Sequence, residues 1–366
     1  MTYLDTGYDL INLINDKYKY KAYIVGGAVR DHLLGYDISD IDIATNMPLD
    51  EINKYFDVVD NGSKYLSITI NYKNYSFEVT NFRTDLKYYN HRHPLVKLVD
   101  DYKEDSKRRD FTINALALDK DKTIVDYYNG INDLENKIIR TIGNPDVRFE
   151  EDSLRILRGL YLKAKLDFDF DLKTLYAVKA KKNLLSELSL ERLSEYYYKL
   201  LKIKNDKFIN FVKKNNIFDN IDYFLKYLEI SEKNLKNYEN AIIYYHKYNS
   251  YPFIINKNEK KLVDIYFDIV DSNFSKLSYY NNKKDIDKLY NIFRYFKFDV
   301  DKIKDDIDNL IIKDDKELAL SKKDIADYFD HENKKIAINK IIEEILLGKL
   351  LNDKDEIKRY ILEKLV

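Results

Sequence analysis

The sequence predicts an α+β chain, an N-terminal mixed sheet with helices followed by an all-α remainder. Three observations carry this. Up to about residue 135, short apolar runs of strand length alternate with stretches of helical spacing. From residue 149 the apolar periodicity is helical and persists to Leu365. Glycine and arginine divide the chain the same way: eight of nine glycines lie at or before Gly159, and ten of 12 arginines precede residue 200. Where lysine is the default cation, arginine is informative, because its planar fork makes bidentate bonds to phosphates and base edges.

The elements follow in order. Residues 8–19 have helical spacing through Leu10, Leu13 and Ile14. Ala22–Val25 reads as a buried strand ending at Gly26-Gly27, with a helix from about 27 to 34 that stops near Gly35. Ile41 to Ala44 alternates like a strand, and Pro48 is placed to open the next helix. Two further strands are expected at 66–72 and 75–82, joined by Lys73-Asn74. The polar stretch 84–107, with a Tyr-Asn-His-Arg-His-Pro cluster at 89–94, reads as a mobile loop. An apolar block from Phe111 to Leu118 and a strand-like Thr123–Tyr127 close the α/β part near residue 135. Val147–Leu166 and Leu184–Ile203 are then amphipathic helices, which suggests domains at 1–135, 136–203 and 204–366. The later aromatics (Tyr223, Phe224, Tyr227, Tyr290, Phe293, Tyr295, Phe296) sit at helical spacing and are assigned to a core rather than to base stacking.

Composition excludes several classes. No run approaches the roughly 18 apolar residues of a membrane span, and the first residues lack the basic and apolar blocks of a signal peptide. The absence of cysteine removes disulfides, thiolate zinc sites and cysteine nucleophiles, and a cytoplasmic protein is the simplest expectation. A net charge of −1 announces no nucleic acid, although basic residues gathered on one face still bind RNA.

Asp40-Ile41-Asp42 is the central signal. On a strand, residues i and i+2 point to one face, so both carboxylates project together. Two hard oxygen ligands suit Mg2+, which takes one or two carboxylates plus water and substrate phosphates. A two-ion site of this kind activates an attacking hydroxyl and clamps a phosphate leaving group. An Asp-x-Asp alone says little, since the pattern recurs at Asp167, Asp169 and Asp171. Its context adds more. Gly26-Gly27, thirteen residues earlier, sits between a strand and a helix, where backbone N–H groups approach phosphate closely. Arg30 and Asp31 lie one turn further, setting a guanidinium beside those phosphates. Glu78 is a candidate third carboxylate, with a solvent-facing strand residue as the alternative.

These residues resemble a known family. Tyr23-Ile-Val-Gly-Gly-Ala-Val-Arg-Asp-His-Leu-Leu-Gly35, followed by Asp40-Ile-Asp-Ile-Ala-Thr45, resembles motif A of the class II tRNA nucleotidyltransferases and bacterial poly(A) polymerases. Four more stretches follow in the family's order. Arg108-Arg-Asp-Phe-Thr-Ile-Asn-Ala-Leu-Ala117 resembles motif B, which implies sugar and triphosphate contacts by Arg109, Asp110 and Asn114. Asp126-Tyr-Tyr-Asn-Gly130 resembles motif C, a hinge between head and neck. Arg148-Phe-Glu-Glu-Asp-Ser-Leu-Arg-Ile-Leu-Arg158 resembles motif D, the amino-acid template for base choice, and Leu188-Ser-Leu-Glu-Arg-Leu-Ser-Glu195 resembles motif E, its brace. The resemblance covers about residues 20–200 and implies a nucleotidyltransferase head, a helical neck, and a helical body and tail.

Motif D has a chemical logic. Three apart on one helix, Asp152 and Arg155 would be neighbours on its face. The carboxylate accepts from the exocyclic amino group of C or A, and the guanidinium donates to the adjacent ring acceptor. U and G place a carbonyl against the carboxylate and are rejected. Arg158 completes the expected nucleotide contacts. Two departures from the family pattern stand out. Tyr161 and Leu162 occupy positions usually Arg and Phe; if that Arg touches the incoming nucleotide, Arg158 or a lysine must substitute, or nucleotide affinity is lower. In Asn61-Gly-Ser-Lys-Tyr-Leu-Ser67, Leu66-Ser67 replaces a usual Gly-Thr.

The resemblance implies template-independent addition of C, C and A to the 3′ end of tRNA from CTP and ATP, with Mg2+ on Asp40 and Asp42. The loop at 84–107 has nearly full family length, which disfavours a CC-adding enzyme and leaves A-only addition as an alternative. A poly(A) polymerase is disfavoured because no Arg-rich strand precedes Glu78. A catalytically inactive RNA-binding protein is the remaining alternative. Lysines of the C-terminal helices are expected to contact tRNA phosphates.

Overall fold

The computed structural model describes residues 2–60, 67–89, 93–203, 205–252, 255–330 and 333–365. Residues 61–66 of the 61–67 departure and 90–92 of the polar cluster lie outside that set. The chain forms two compact units, Met1–Glu229 and Ile230–Val366.

The first unit opens with helix α1 (Tyr3–Asn12). Its N-terminus is closed by a capping box in which Thr2 accepts from the Asp5 amide and Asp5 accepts from the Thr2 amide. Strand β1 (Ala22–Val25) and helix α2 (Gly27–Leu33) fall where the apolar run and the glycines predict them. Then come β2 (Asp42–Thr45), α3 (Leu49–Tyr55, N-capped by Pro48), β3 (Asp57–Asp60), β4 (Ser67–Tyr72) and β5 (Tyr75–Asn81). Lys73 and Asn74, both left-handed at φ 48° and 69°, make the tight turn between β4 and β5. After β6 (Arg83–Tyr89), β7 (His93–Leu98) and α4 (Tyr102–Lys107) come β8 (Ala117–Leu118) and β9 (Ile124–Val125). The order β3-β4-β5-β2-β1-β8-β9 makes one seven-stranded mixed sheet, antiparallel except where β2 runs parallel to β5. Ile24, Ile43, Ile70, Phe77 and Val79 are fully buried and pack with Leu10 and Ile11 of α1, which fixes which face of each strand turns inward.

Residues 84–107 differ from the expected loop. β6 and β7 pair as their own antiparallel ribbon, and α4 follows. The ribbon belongs to a separate two-stranded sheet, with Leu86, Leu95 and Leu98 exposed, so no buried apolar alternation marks it in the sequence. In α4 the buried side chains are Tyr102, Asp105 and Ser106, and a helix that buries a carboxylate does not show an apolar stripe.

The hinge region has a plain backbone rationale. The Asp126 carboxylate accepts from the amides of Tyr128, Gly130 and Ile131, Asn129 is left-handed at φ 59°, and α5 (Gly130–Glu135) starts there. A Cβ on Gly130 would stand 2.4 Å from the Thr112 carbonyl oxygen. Gly130→Ala should therefore cost about 2–4 kcal/mol in denaturant unfolding, because a backbone atom must shift. An unchanged midpoint would contradict that packing.

β10 (Ile138–Ile139) pairs in parallel with β11 (Asp169–Phe170) around α6 (Pro145–Glu151) and α7 (Leu154–Leu166). The single helix expected over Val147–Leu166 is thus two. Asp152 is extended at φ −148° and ψ 102°, and its carboxylate accepts from the Leu154 amide. Asp and Ser side chains compete with the helix ladder in this way and break it at Asp152-Ser153. The second Asp-x-Asp run is structural. Asp167 closes α7 in the left-handed region, and Asp171 caps α8 (Leu172–Lys181), accepting from the amides of Lys173 and Thr174. A 3₁₀ turn over Lys182–Glu187 leads into α9 (Leu190–Ile203), so that helix starts later than its apolar spacing suggests. α10 (Asp206–Lys214) and α11 (Asp222–Ile230) complete this part, with Phe224 and Tyr227 buried and Tyr227 stacked on Tyr197 at 4.7 Å.

The α-helices of the second unit's described residues are α12 (Asn237–Tyr248), α13 (Lys257–Asp271), α14 (Lys276–Asn282), α15 (Tyr290–Tyr295), α16 (Val300–Asp308), α17 (Lys322–Ala326), α18 (Lys334–Leu346) and α19 (Lys354–Tyr360), and no strand is among those residues. Tyr266, Phe293, Ile341 and Ile357 centre its core, whereas Tyr295 stays exposed. No helix among the described residues is long and apolar enough to cross a membrane.

Candidate active site

The site forms where β1 gives way to α2. At Gly26 the backbone takes φ +76° and ψ −137°, a region that side-chain-bearing residues avoid. A Cβ there would lie 3.4 Å from Asp42 Oδ2 and 3.6 Å from Arg109 Nη1. The glycine therefore marks the point where turn, carboxylate and guanidinium converge.

Asp42 opens β2 and pairs in register with Glu78 of the parallel neighbour β5. Asp40 lies two residues before the strand and is exposed, accepting from the Ser39 hydroxyl. The strand rule for residues i and i+2 thus does not itself set the direction of Asp40. Electrostatics links the three acids instead. Burial, then Glu78, then Asp40 push the Asp42 carboxyl up to about 6, with Arg109 opposing. Among the described residues no three His, Cys, Asp or Glu side chains form a ready metal cage. Two or three crowded carboxylates whose mutual repulsion a cation relieves do suit a hard divalent ion that completes its shell with substrate oxygens.

The acids share their cleft with arginines. A cleft of about 400 Å³ is lined by Asp42 and Glu78 together with Arg83, Arg108, Arg109 and Arg158. Arg109 lies over the buried Tyr102 ring at 5.5 Å and pairs with Asp105 at 3.3 Å. Arg83 and Arg108 join the site without a distinguishing motif role in the sequence. Their signal is the scarcity of arginine in a lysine-rich chain.

The other candidates fall into two groups. Arg30 is 5% exposed and binds Asp31 and the Asn114 side chain, with its guanidinium 3.4 Å from where a Gly27 Cβ would sit. Lys165 reaches Asp31 at 2.8 Å. Gly27, Arg30 and Asn114 are thus one packed group beneath the glycine turn. In the second group Asp110 accepts from Arg155 Nε at 2.8 Å and from Arg158 Nη1 at 2.6 Å. Burial would raise the Asp110 pKa, but the Arg158 and Arg155 guanidiniums outweigh it and hold it below the usual carboxylate value. Arg155 is 3% exposed and also bonds Glu151 and the Arg148 carbonyl.

The single helix face expected for Asp152 and Arg155 is corrected by the break between α6 and α7. Asp152 stands in that break, its carboxyl raised chiefly by burial and lowered in turn by the nearby Arg158. Tyr161, one turn after Arg158, meets Tyr196 edge to face at 6.1 Å. Lys199 of α9 lies 5.9 Å from the Tyr161 ring and 4.9 Å from that of Tyr196, so a lysine does stand beside the position.

Residues 22–140 match the family described as Poly A polymerase head domain. With the mixed sheet and the carboxylate-lined cleft, this defines a nucleotidyltransferase of the poly(A) polymerase-head class. Within that class the chain belongs to the CCA-adding enzyme family. It is 33% identical over 366 residues to the CCA-adding enzyme of Ligilactobacillus salivarius, spanning 92% of this chain and 91% of that one. The CCA-adding enzyme of Streptococcus mutans is 45% identical over 185 residues, 50% of this chain and 46% of that protein. The fold matches the crystal structure of the Bacillus stearothermophilus CCA-adding enzyme in complex with CTP, with a TM-score of 0.74 at 24% identity over 100% of this chain and 98% of that one.

Proposed function

We propose that this chain adds C, C and then A to the 3′ end of tRNA, without a nucleic-acid template, using CTP and ATP. The observation that carries the reading is the cleft that Asp42 and Glu78 line together with four arginines beside the Gly26 turn. Asp40 and Asp42 would hold Mg2+, with Glu78 adding to the negative field. Held by these residues, the ion would supply Lewis-acid chemistry, lowering the pKa of an attacking hydroxyl and shielding triphosphate charge. The chain's own groups do the rest. Arg108 and Arg109 neutralise phosphate charge, and the packed group of Gly27, Arg30 and Asn114 holds the turn in shape. For base choice, Asp152 accepts the amino group of C or A. Both arginines bond Asp110, but Arg155 is buried and also holds Glu151 and the Arg148 carbonyl, whereas Arg158 is half exposed and lines the cleft, which makes it the better placed donor.

Residues 1–135 form the catalytic head in this reading, 136–203 the nucleotide-selecting neck and 204–366 the tRNA-binding body and tail. A cytoplasmic setting follows from the tRNA substrate and the lack of cysteine. Incorporation on tRNAs ending at the discriminator base, after one C and after two, tests the reading step by step. Completion of CCA on all three is expected. Addition only to the substrate already carrying two C would leave an A-adding enzyme, and a long tail on generic RNA from ATP alone would point to a poly(A) polymerase.

A further inference from the structure

Asp105 is fully buried on α4, and no role described so far uses it. Its Oδ1 accepts from the Arg83 backbone amide at 3.1 Å and from Arg108 Nε at 2.9 Å, and its Oδ2 accepts from Arg109 Nη2 at 3.3 Å. One carboxylate therefore holds two guanidiniums of the cleft and the first residue of β6. The base of the β6–β7 ribbon is closed beside it, where the Val99 amide donates to the Phe82 carbonyl at 3.0 Å.

A buried carboxylate is tolerated only when paired, and the pairing here constrains both sides. Arg109 is also drawn toward Asp42, whose negative charge acts on it directly. Asp105 competes for that guanidinium through its bond to Nη2. Without it, Arg109 keeps the Tyr102 ring and Asp42 as attractors, and Asp42 is then the carboxylate toward which its guanidinium shifts.

We infer that Asp105 is a positioning residue that keeps Arg108 and Arg109 available to the phosphates of an incoming nucleoside triphosphate and ties them to the root of the β6–β7 ribbon. The inference rests on the nucleotidyl-transfer reading of the cleft. Asn at this position still accepts from the Arg83 amide but no longer carries the charge that orients the guanidiniums.

The test combines equilibrium titration of CTP and ATP onto the full chain with steady-state incorporation, for Asp105→Asn, Arg109→Gln and the double variant. Asp105→Asn should weaken binding of both nucleotides by about tenfold or more and raise KM in parallel, with kcat within about threefold. The double variant should bind no more weakly than Arg109→Gln alone, because the two residues act as one unit. Additive losses, or wild-type CTP binding by Asp105→Asn, would overturn the inference. If Asp105→Asn does not fold, Asp105→Glu carries the same cycle, since it keeps the charge and displaces it by one methylene. A wild-type chain that joins neither C nor A to tRNA would instead defeat the underlying reading.

Discussion

Asp42→Asn abolishes nucleotide incorporation, by about a thousandfold or more, and makes the metal-stripped protein more stable at neutral and alkaline pH. The first effect follows from loss of a charged oxygen ligand. The second follows from the position of Asp42, half-buried among like charges, which raises its pKa from the ordinary 3.8 to about 6 in the fold. A raised carboxyl favours its protonated form, so its stabilising contribution is complete below the unfolded value and is lost as the pH climbs through about 6. Asn resembles the protonated acid at every pH. The variant should therefore match the wild type near pH 4 and exceed it by about 1–3 kcal/mol at pH 8, from a shift of roughly two units discounted for partial exposure. Urea unfolding in chelator at several pH values measures the gap. A gap that is flat in pH, or a variant less stable than wild type at pH 8, would contradict the crowded-carboxylate picture.

Asp110→Ala should destabilise the protein by about 3 kcal/mol or more, because it leaves a buried guanidinium without one of its charges. Arg155 is 3% exposed and would retain Glu151, while Arg158 would lose its anchor in the cleft. Asp110→Asn, which still accepts one hydrogen bond, should cost about half as much. Both variants should also discriminate less strictly against UTP and GTP, since Arg158 is then free to change its position relative to Asp152. Denaturation midpoints and misincorporation ratios on tRNA ending in one C check the two halves. A loss below about 1 kcal/mol for Asp110→Ala would show that the Asp110–Arg155 pair does not brace α7.

Much of the fold can be read along the chain where one residue pattern has one physical cause. The apolar run at Ala22–Val25 ends at two glycines and becomes β1 and α2. The pair Lys73-Asn74 tolerates left-handed backbone and becomes the turn between β4 and β5. The aromatics at Phe224, Tyr227 and Phe293 are core, as their helical spacing suggests. The misreadings share a cause, namely backbone amides satisfied by side-chain carboxylates, which apolar periodicity does not register. Nothing near Asp105 in sequence says that it binds the Arg83 amide, so α4 and the β6–β7 ribbon look like loop. The period through Val147–Leu166 is continuous, and only the Asp152 carboxylate, bonded to the Leu154 amide, breaks it. Likewise the site's glycines and acids stand out in the sequence, but the three-way sharing of Asp110 with Arg155 and Arg158 brings together residues 45 and 48 positions apart. Spacing along a helix cannot show that.

The most direct test of the central claim is incorporation on a tRNA ending at its discriminator base, with CTP and ATP present, by wild type and by the Asp40→Ala, Asp42→Ala double variant. Three added residues, C, C and A, are expected from the wild type, and none from the variant while its tRNA binding is retained. A wild type that adds no C, or a double variant as active as wild type, would contradict it.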